Sequence, residues 1–338
     1  MRKVLLATTA LATAAGVAAV ANADVSIGGG VEWRYMSISD DAHQTVRASD
    51  SDFQSTQDIT ISMSVTTDSG LTMAQSINIG NGGVSTSVSS ISGDFGTIEF
   101  NQGSGSAHAG SAYDVTSVGI AGGHGDASFI LYDASTASAS AVTGAASGNT
   151  GVGSLNEAVL SDAEDGALNY HSPTFGGFSF GVGVSHLDHG DDNTSMSMGA
   201  KYAGAMGDVS YTVGYATYDG TGSAADGSHV GANVSWDKVT FGIGSSANQS
   251  SNTKELKVLS YSVNYAVSDD ITLNIGKVDS KENKTSTKYE TTNTTIGVAY
   301  SIAPGLTFSM SSHNFDYKES GTTKNDGQAL QSELKMSF

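Results

Sequence analysis

Two short stretches carry residue types able to do chemistry. In GFSFG, residues 177–181, Ser179 stands at the centre of a G-x-S-x-G pattern. In hydrolases that pattern exposes a nucleophilic serine on a sharp strand-to-helix turn. Here VGVSH follows, an alternating continuation with no helix-forming run, so Ser179 reads as one polar position of a strand and no catalytic residue is assigned. In HLDHGDDN, residues 186–193, Asp188, Asp191 and Asp192 crowd beside His186, His189 and Asn193. Hard oxygen donors this close suit Ca²⁺, and these three aspartates are the candidate site for a structural Ca²⁺. Their spacing completes no recognised binding loop, and a solvated run of loop charges is the other reading; both stay open.

The remaining charges of interest are scattered singly: Glu32, Arg34, Asp58, Glu99, Lys201, Glu333 and Lys335, with Asn169 and His171. Each falls on the polar side of a segment that alternates with period two, which places it on one face of a strand. In VSIGGGVEWRYMSI, Val25, Ile27, Val31, Trp33 and Tyr35 oppose Ser26, Glu32 and Arg34. In STQDITISMSVTT, Ile59, Ile61, Met63 and Val65 oppose Asp58, Thr60, Ser62 and Ser64. The closing QSELKMSF repeats the pattern and ends on an aromatic, Phe338. About 16 such segments run from residue 25 to the end, and 42 glycines argue against long helices.

The beginning of the chain bounds its destination. Arg2 and Lys3, an apolar stretch from Val4, and Ala21-Asn22-Ala23 have the layout of a secretory signal peptide over 1–23, cleaved after Ala23. Beyond it no apolar run approaches the ~18 residues of a membrane-spanning helix. Without cysteine there is neither a disulfide framework nor a thiolate metal site. A net charge of -19 argues against nucleic acid as a partner.

The connections explain how so polar a chain can still face a membrane. Tight turns at 67–70, 92–96, 173–177, 204–208, 236–238, 267–270 and 302–305 alternate with long hydrophilic stretches such as DHGDDNTS, SANQSSNTKE, DSKENKTSTKYE and DYKESGTTKNDG. An antiparallel barrel crossing a bilayer has short turns on one side and longer loops on the other. Tyr202, Trp236, Phe241, Tyr265, Tyr300, Phe308 and Phe338 gather near the short-turn ends, and Trp33, Tyr35, Tyr218, Tyr289 and Phe315 near the long-loop ends. Two aromatic girdles flanking an apolar band are the interface signature of a membrane barrel. The fold class read is therefore all-β: a transmembrane antiparallel barrel of about 16 strands over 24–338. No ladder of aromatics is read along its lumen.

ADVSIGGGVEWRY after the signal peptide, ISGDFGTIEFNQG, LNYHSPTFGGFSFGVGVSH and the terminal alternation ending in Phe338 resemble Gram-negative outer-membrane general porins of the alphaproteobacterial type. The resemblance implies a trimeric channel in the cell outer membrane, surrounded by lipid and open to ions and small hydrophilic solutes. It implies that the C-terminal Phe338 is an assembly signal for the barrel-assembly machinery. It also implies that the loop after the fifth strand, within 103–165, folds inward as a constriction. That stretch holds seven acids, Asp114, Asp126 and Asp133 among them, and neither Lys nor Arg. With Glu32, Asp58, Glu99 and Glu333 against Arg34, Lys201 and Lys335 on the wall, the expected preference is moderately for cations. A substrate-specific channel and a secreted β-rich adhesin are the alternatives.

Overall fold

The computed structural model describes residues 23–40, 51–80, 83–102, 109–116, 166–186, 194–220, 226–249, 253–284 and 288–338. The alternating segments are strands. The first five are Asp24–Asp40 (β1), Ser51–Thr66 (β2), Thr72–Gly80 (β3), Gly83–Gly93 (β4) and Gly96–Gln102 (β5). Then come Gly166–His171 (β6), Phe178–His186 (β7), Thr194–Met206 (β8), Val209–Asp219 (β9), Asp226–Trp236 (β10) and Val239–Gln249 (β11). The last five are Thr253–Ala266 (β12), Ile271–Lys284 (β13), Lys288–Ala303 (β14), Leu306–Glu319 (β15) and Thr322–Ser337 (β16). Each pairs antiparallel with its neighbours in sequence, and β1 pairs with β16, so the sheet closes into a barrel. Closure satisfies the backbone groups that an open edge would leave unpaired in hydrocarbon.

The two phases of the alternation face opposite solvents. Ile27, Met198, Tyr215, Val230, Ile275 and Ile296 are exposed on the outside, as befits a surface that meets acyl chains. The inner phase is Ser, Thr, Asn and Gly, with Asn169, Ser197, Ser260, Thr295 and Gln331 buried. A lysine or arginine substituted outward at mid-membrane costs ~2–4 kcal/mol, which favours an apolar outer phase over the middle of the strands; β13 departs from it with the outward pair Lys277–Asp279 at 2.9 Å.

Two features differ from the sequence reading. The stretches read as long loops at 246–255, 279–290 and 316–327 are largely strand. β11 runs to Gln249, β13 to Lys284, and β15 joins β16 through Ser320 and Gly321 alone. Both of these have positive φ, 49° and 84°, the backbone of a two-residue hairpin turn that matches strand twist. The strands thus continue past the apolar band, where Lys257, Lys281, Glu290, Asp316 and Lys318 make the outer phase polar. Secondly, Tyr218, Tyr289 and Phe315 do not belong to an outer girdle. Outward residues of β9 are odd-numbered, those of β14 even and those of β15 even, so these three rings turn inward. Tyr218 and Phe315 are buried, and Tyr289 stacks on inward Tyr317 with ring centroids 6.1 Å apart. Tyr317 in turn clusters with Leu256, Val258 and Val278.

Candidate functional site: the barrel lumen

The inner wall gathers most of its charges in two places. The first is the seam between β1 and β16, where Glu32 stands opposite Lys335 and Arg34 opposite Glu333. Further along the same ladder Gly29 and Phe338 exchange both main-chain hydrogen bonds. Counting from that pair makes Glu32–Lys335 and Arg34–Glu333 non-hydrogen-bonded positions, where opposed Cα atoms lie about 4.5 Å apart and side chains meet most closely. The contacts follow. Arg34 Nε donates to Glu333 at 2.6 Å and its terminal nitrogen to Glu32 at 2.9 Å, and Lys335 Nζ donates to Glu32 at 2.6 Å. Acid and base alternate through four side chains, with the Thr56 hydroxyl a further donor to Glu32 at 3.5 Å. Asp58 lies next door on β2, opposite Gly30.

The second place is built around residues 109–116, where a short 3₁₀ turn, Ala109–Tyr113, packs against β6 to β9 from inside. Its floor is glycine. A Cβ at Gly181 would lie 2.5 Å from the Tyr113 ring and one at Gly199 2.8 Å from Tyr113 Cβ. At Gly214 and Gly231 a Cβ would run into the main-chain oxygens of Tyr113 and Val115. Gly181 faces Gly199 and Gly214 faces Gly231 across the ladders, so the sheet presents a shallow track that no other residue type would leave.

Three inner side chains hold the segment in that track. Lys201 Nζ donates to the Ala112 carbonyl at 3.2 Å and lies 5.7 Å above the Tyr113 ring, within cation–π range. His229 Nε2 donates to the Val115 carbonyl at 3.1 Å. His171 Nδ1 meets the Tyr113 hydroxyl at 3.1 Å while its Nε2 faces the Glu99 carboxylate at 3.5 Å. A ring hydrogen on Nε2 points at Glu99, and the Tyr113 hydroxyl, which can donate or accept, pairs with Nδ1. Burial, with Glu99 and Tyr170 adding negative charge nearby, pushes the Tyr113 hydroxyl up to about 12. Tyr113 is therefore a neutral hydrogen-bonding group at ordinary pH.

Glu32, Arg34, Asp58, Glu99, Lys201, Glu333 and Lys335 all lie on the inner face. Asp114 lies on the segment inside the barrel, whereas Asp126, Asp133, Asp188, Asp191 and Asp192 lie outside the described residues. Among the described residues no group of three or more His, Cys, Asp or Glu side chains could hold a metal ion. Ser179 is buried within β7, opposite Lys201, and no strand-to-helix turn exposes it. Phe338 ends the seam with its side chain exposed outside. Sequence reasoning missed His229, buried Glu282 and the inward tyrosines. His229 and Glu282 sit on the inner phase of their strands, so parity was the signal that could have found them.

The comparisons with known proteins agree with this architecture. A family model described as Gram-negative porin matches residues 7–321. The chain belongs to the Gram-negative porin family. It is an outer-membrane channel for passive diffusion, and the polar lumen inside an apolar exterior is the physical form of that activity. No curated protein matches this porin by sequence. Among solved structures it is similar to the outer-membrane protein OmpT of Vibrio cholerae, at 12% identity and a TM-score of 0.63 over 95% of this chain and 99% of that one. It is similar to an anion-selective porin from Comamonas acidovorans, at 14% identity and a TM-score of 0.60 over 94% and 100%. A substituted porin of Rh. blastica is similar at 15% identity and a TM-score of 0.58 over 93% and 100%. At these identities the likeness is one of fold, and the ion preference of this porin has to be argued from its own residues.

Proposed function

We propose that this porin is a moderately cation-preferring general diffusion channel, a homotrimer that performs no chemical reaction, with the constriction formed within 103–165. The supporting observation is the charge of the inner face. Among the described residues, Glu32, Asp58, Glu99, Glu282 and Glu333 line the wall and Asp114 the inward segment, against Arg34, Lys201 and Lys335. The seam quartet is neutral as a whole, so the excess falls on Asp58, Glu99, Glu282 and Asp114, offset by Lys201. Fixed charge in a narrow passage with low-dielectric walls concentrates the field on the permeating ion. The zero-current potential of purified channels in a planar bilayer under a KCl gradient tests the reading. Its sign should report potassium as the more permeant ion, and a sign favouring chloride would overturn it.

A second reading, a substrate-specific channel, is favoured by the inward stack of Tyr289 on Tyr317 above Val278 and Leu256. Saturable block of conductance by a solute with an apolar face would establish it. Phe338 is the residue that the barrel-assembly machinery would read, and outer-leaflet lipid surrounds the exterior.

A further inference from the structure

Three histidines stand on the inner phase of their strands, and they are not equivalent. His229 and His313 are 1% and 0% exposed, so their rings are sealed from the pore water. The His171 side chain is 19% exposed, and that of Glu99 beside it 30%. Among the described residues, His171 is thus the inner-wall histidine that solvent protons and permeating ions can reach. It also belongs to the wall on which residues 109–116 rest.

The surroundings of this ring accept both of its charge states. Tyr113 stacks on it with centroids 5.8 Å apart and planes 25° from parallel. Gly181 stands opposite on β7, and a Cβ there would lie 3.0 Å from His171 Nδ1. With the ring hydrogen on Nε2, Nδ1 takes the Tyr113 hydroxyl as its donor. In the imidazolium, Nδ1–H donates to the same hydroxyl oxygen, 3.1 Å away. A phenol can exchange these roles without moving its oxygen. Nε2 faces the Glu99 carboxylate at 3.5 Å in either state, and a charged ring is held there more strongly. Protonation therefore changes the charge of the wall while His171 keeps its contact with the segment.

We propose that His171 is a specificity-determining residue of the channel, a proton-titrated charge that lowers the preference for cations on acidification while the pore stays open. The inference rests on the reading of permeation as governed by fixed wall charge, and it makes one of those charges variable. The groups around the ring are Glu99 from β5, Tyr113 and Asp114 from the inward segment, and Lys201 from β8, whose Nζ lies 5.7 Å from the Tyr113 ring. β7 faces it with Ser179, Gly181 and Gly183, none of them charged, and Tyr170, its neighbour in β6, is on the outward phase. Two carboxylates against one ammonium leave this part of the wall negative while the ring is neutral, and balanced once the ring is protonated. Imidazole is the side chain that ordinarily changes charge between about pH 5 and pH 8. One unit charge ~10 Å from a permeating ion, screened at ~0.1 M salt, alters the relative permeability of potassium and chloride about twofold.

The test is the zero-current potential and single-channel conductance of the purified protein in a planar bilayer, under a KCl gradient near ~0.1 M, at pH ~7.5 and pH ~5.5. In the wild type the potassium-to-chloride permeability ratio should fall about twofold at the lower pH, with the channel still conducting. His171→Gln and His171→Asn should hold one ratio at both pH values. His171→Lys carries the charge permanently and should show the acid ratio at both. His313→Gln, at a ring sealed from water, should respond as the wild type does. If any His171 variant gives no folded band in heat-modifiable gels, the remaining ones carry the same test. An unchanged ratio in the wild type, a wild-type response in the glutamine or asparagine variant, or a lysine variant that matches the glutamine variant at pH ~7.5 overturns the proposal. Closure of the wild-type channel at pH ~5.5 also overturns it, since the ring would then act as a latch. The sign of the potential at pH ~7.5 tests the cation preference separately, whereas the change between the two pH values tests His171.

Discussion

Phe338, the terminal residue, exchanges two main-chain hydrogen bonds with Gly29, each 3.0 Å long, and its ring tip lies over the position where a Gly29 side chain would begin. A Cβ at Gly29 would also collide with the Asp58 main-chain oxygen on the other flank. The last rung of the seam therefore requires both a residue at 338 and a glycine at 29. Deleting Phe338, or making Gly29→Val, should leave export intact and reduce the heat-modifiable folded band in detergent gels. Wild-type levels of that band in both variants would contradict the role of the rung.

Glu333 is nearly fully buried at the seam, its side chain 2% exposed, and receives Arg34 Nε at 2.6 Å. Glu333→Gln replaces the charge-assisted hydrogen bond from Arg34 Nε with a neutral one. The expected loss is about 2 kcal/mol of barrel stability, read from denaturant titration of the folded band. Lys201→Gln, which is remote from the seam, should change stability much less. Equal losses would mean that the seam has no special weight.

Gly231 lies beneath the Val115 carbonyl with no room for a methyl group. Gly231→Ala should push residues 109–116 off the wall and towards the pore axis. Single-channel conductance should fall while the folded band persists. Unchanged conductance in a folded variant would show that the segment does not border the conducting path.

Neutralising Asp114, Asp126 and Asp133 together should weaken the cation preference, and raising the salt should weaken it in the wild type. At ~0.1 M salt the screening length is about 10 Å, so charges across a narrow passage still act on one ion. A zero-current potential that is the same in wild type and triple variant would remove these three acids from the filter.

The barrel was legible because lipid and water impose opposite demands on successive residues of each strand. A one-residue slip would turn Ile59 and Ile61 inward and Asp58 into hydrocarbon, so the pattern has little freedom to drift. Above the membrane that constraint disappears. In β13 polar residues occupy both phases from Asp279 to Asn283, and in the sequence strand there looks the same as loop. Three rings of the long-loop girdle were misplaced for a related reason: distance from a turn indicates height but not face, and Tyr218, Tyr289 and Phe315 are on the other side of the wall. The track under residues 109–116 was illegible because it depends on glycines from four strands meeting one tyrosine and one valine remote in sequence. Such a match appears only once register is known.

The seam between β1 and β16 also sets a temporal order. Arg34 and Glu333 are 299 positions apart in the chain, so no part of the contact that closes the cylinder exists until the final strand has been delivered. Pairings of such separation come late and slowly, because the chain must surrender much of its freedom before they form. Until then β1 presents an unpaired edge, and the nascent sheet is open to pairing with another chain. Placing the decisive ion pairs and the terminal aromatic on the last segment to arrive makes completion all-or-none: a chain that stops short has no substitute closing strand, and its unfinished state stays exposed to quality control.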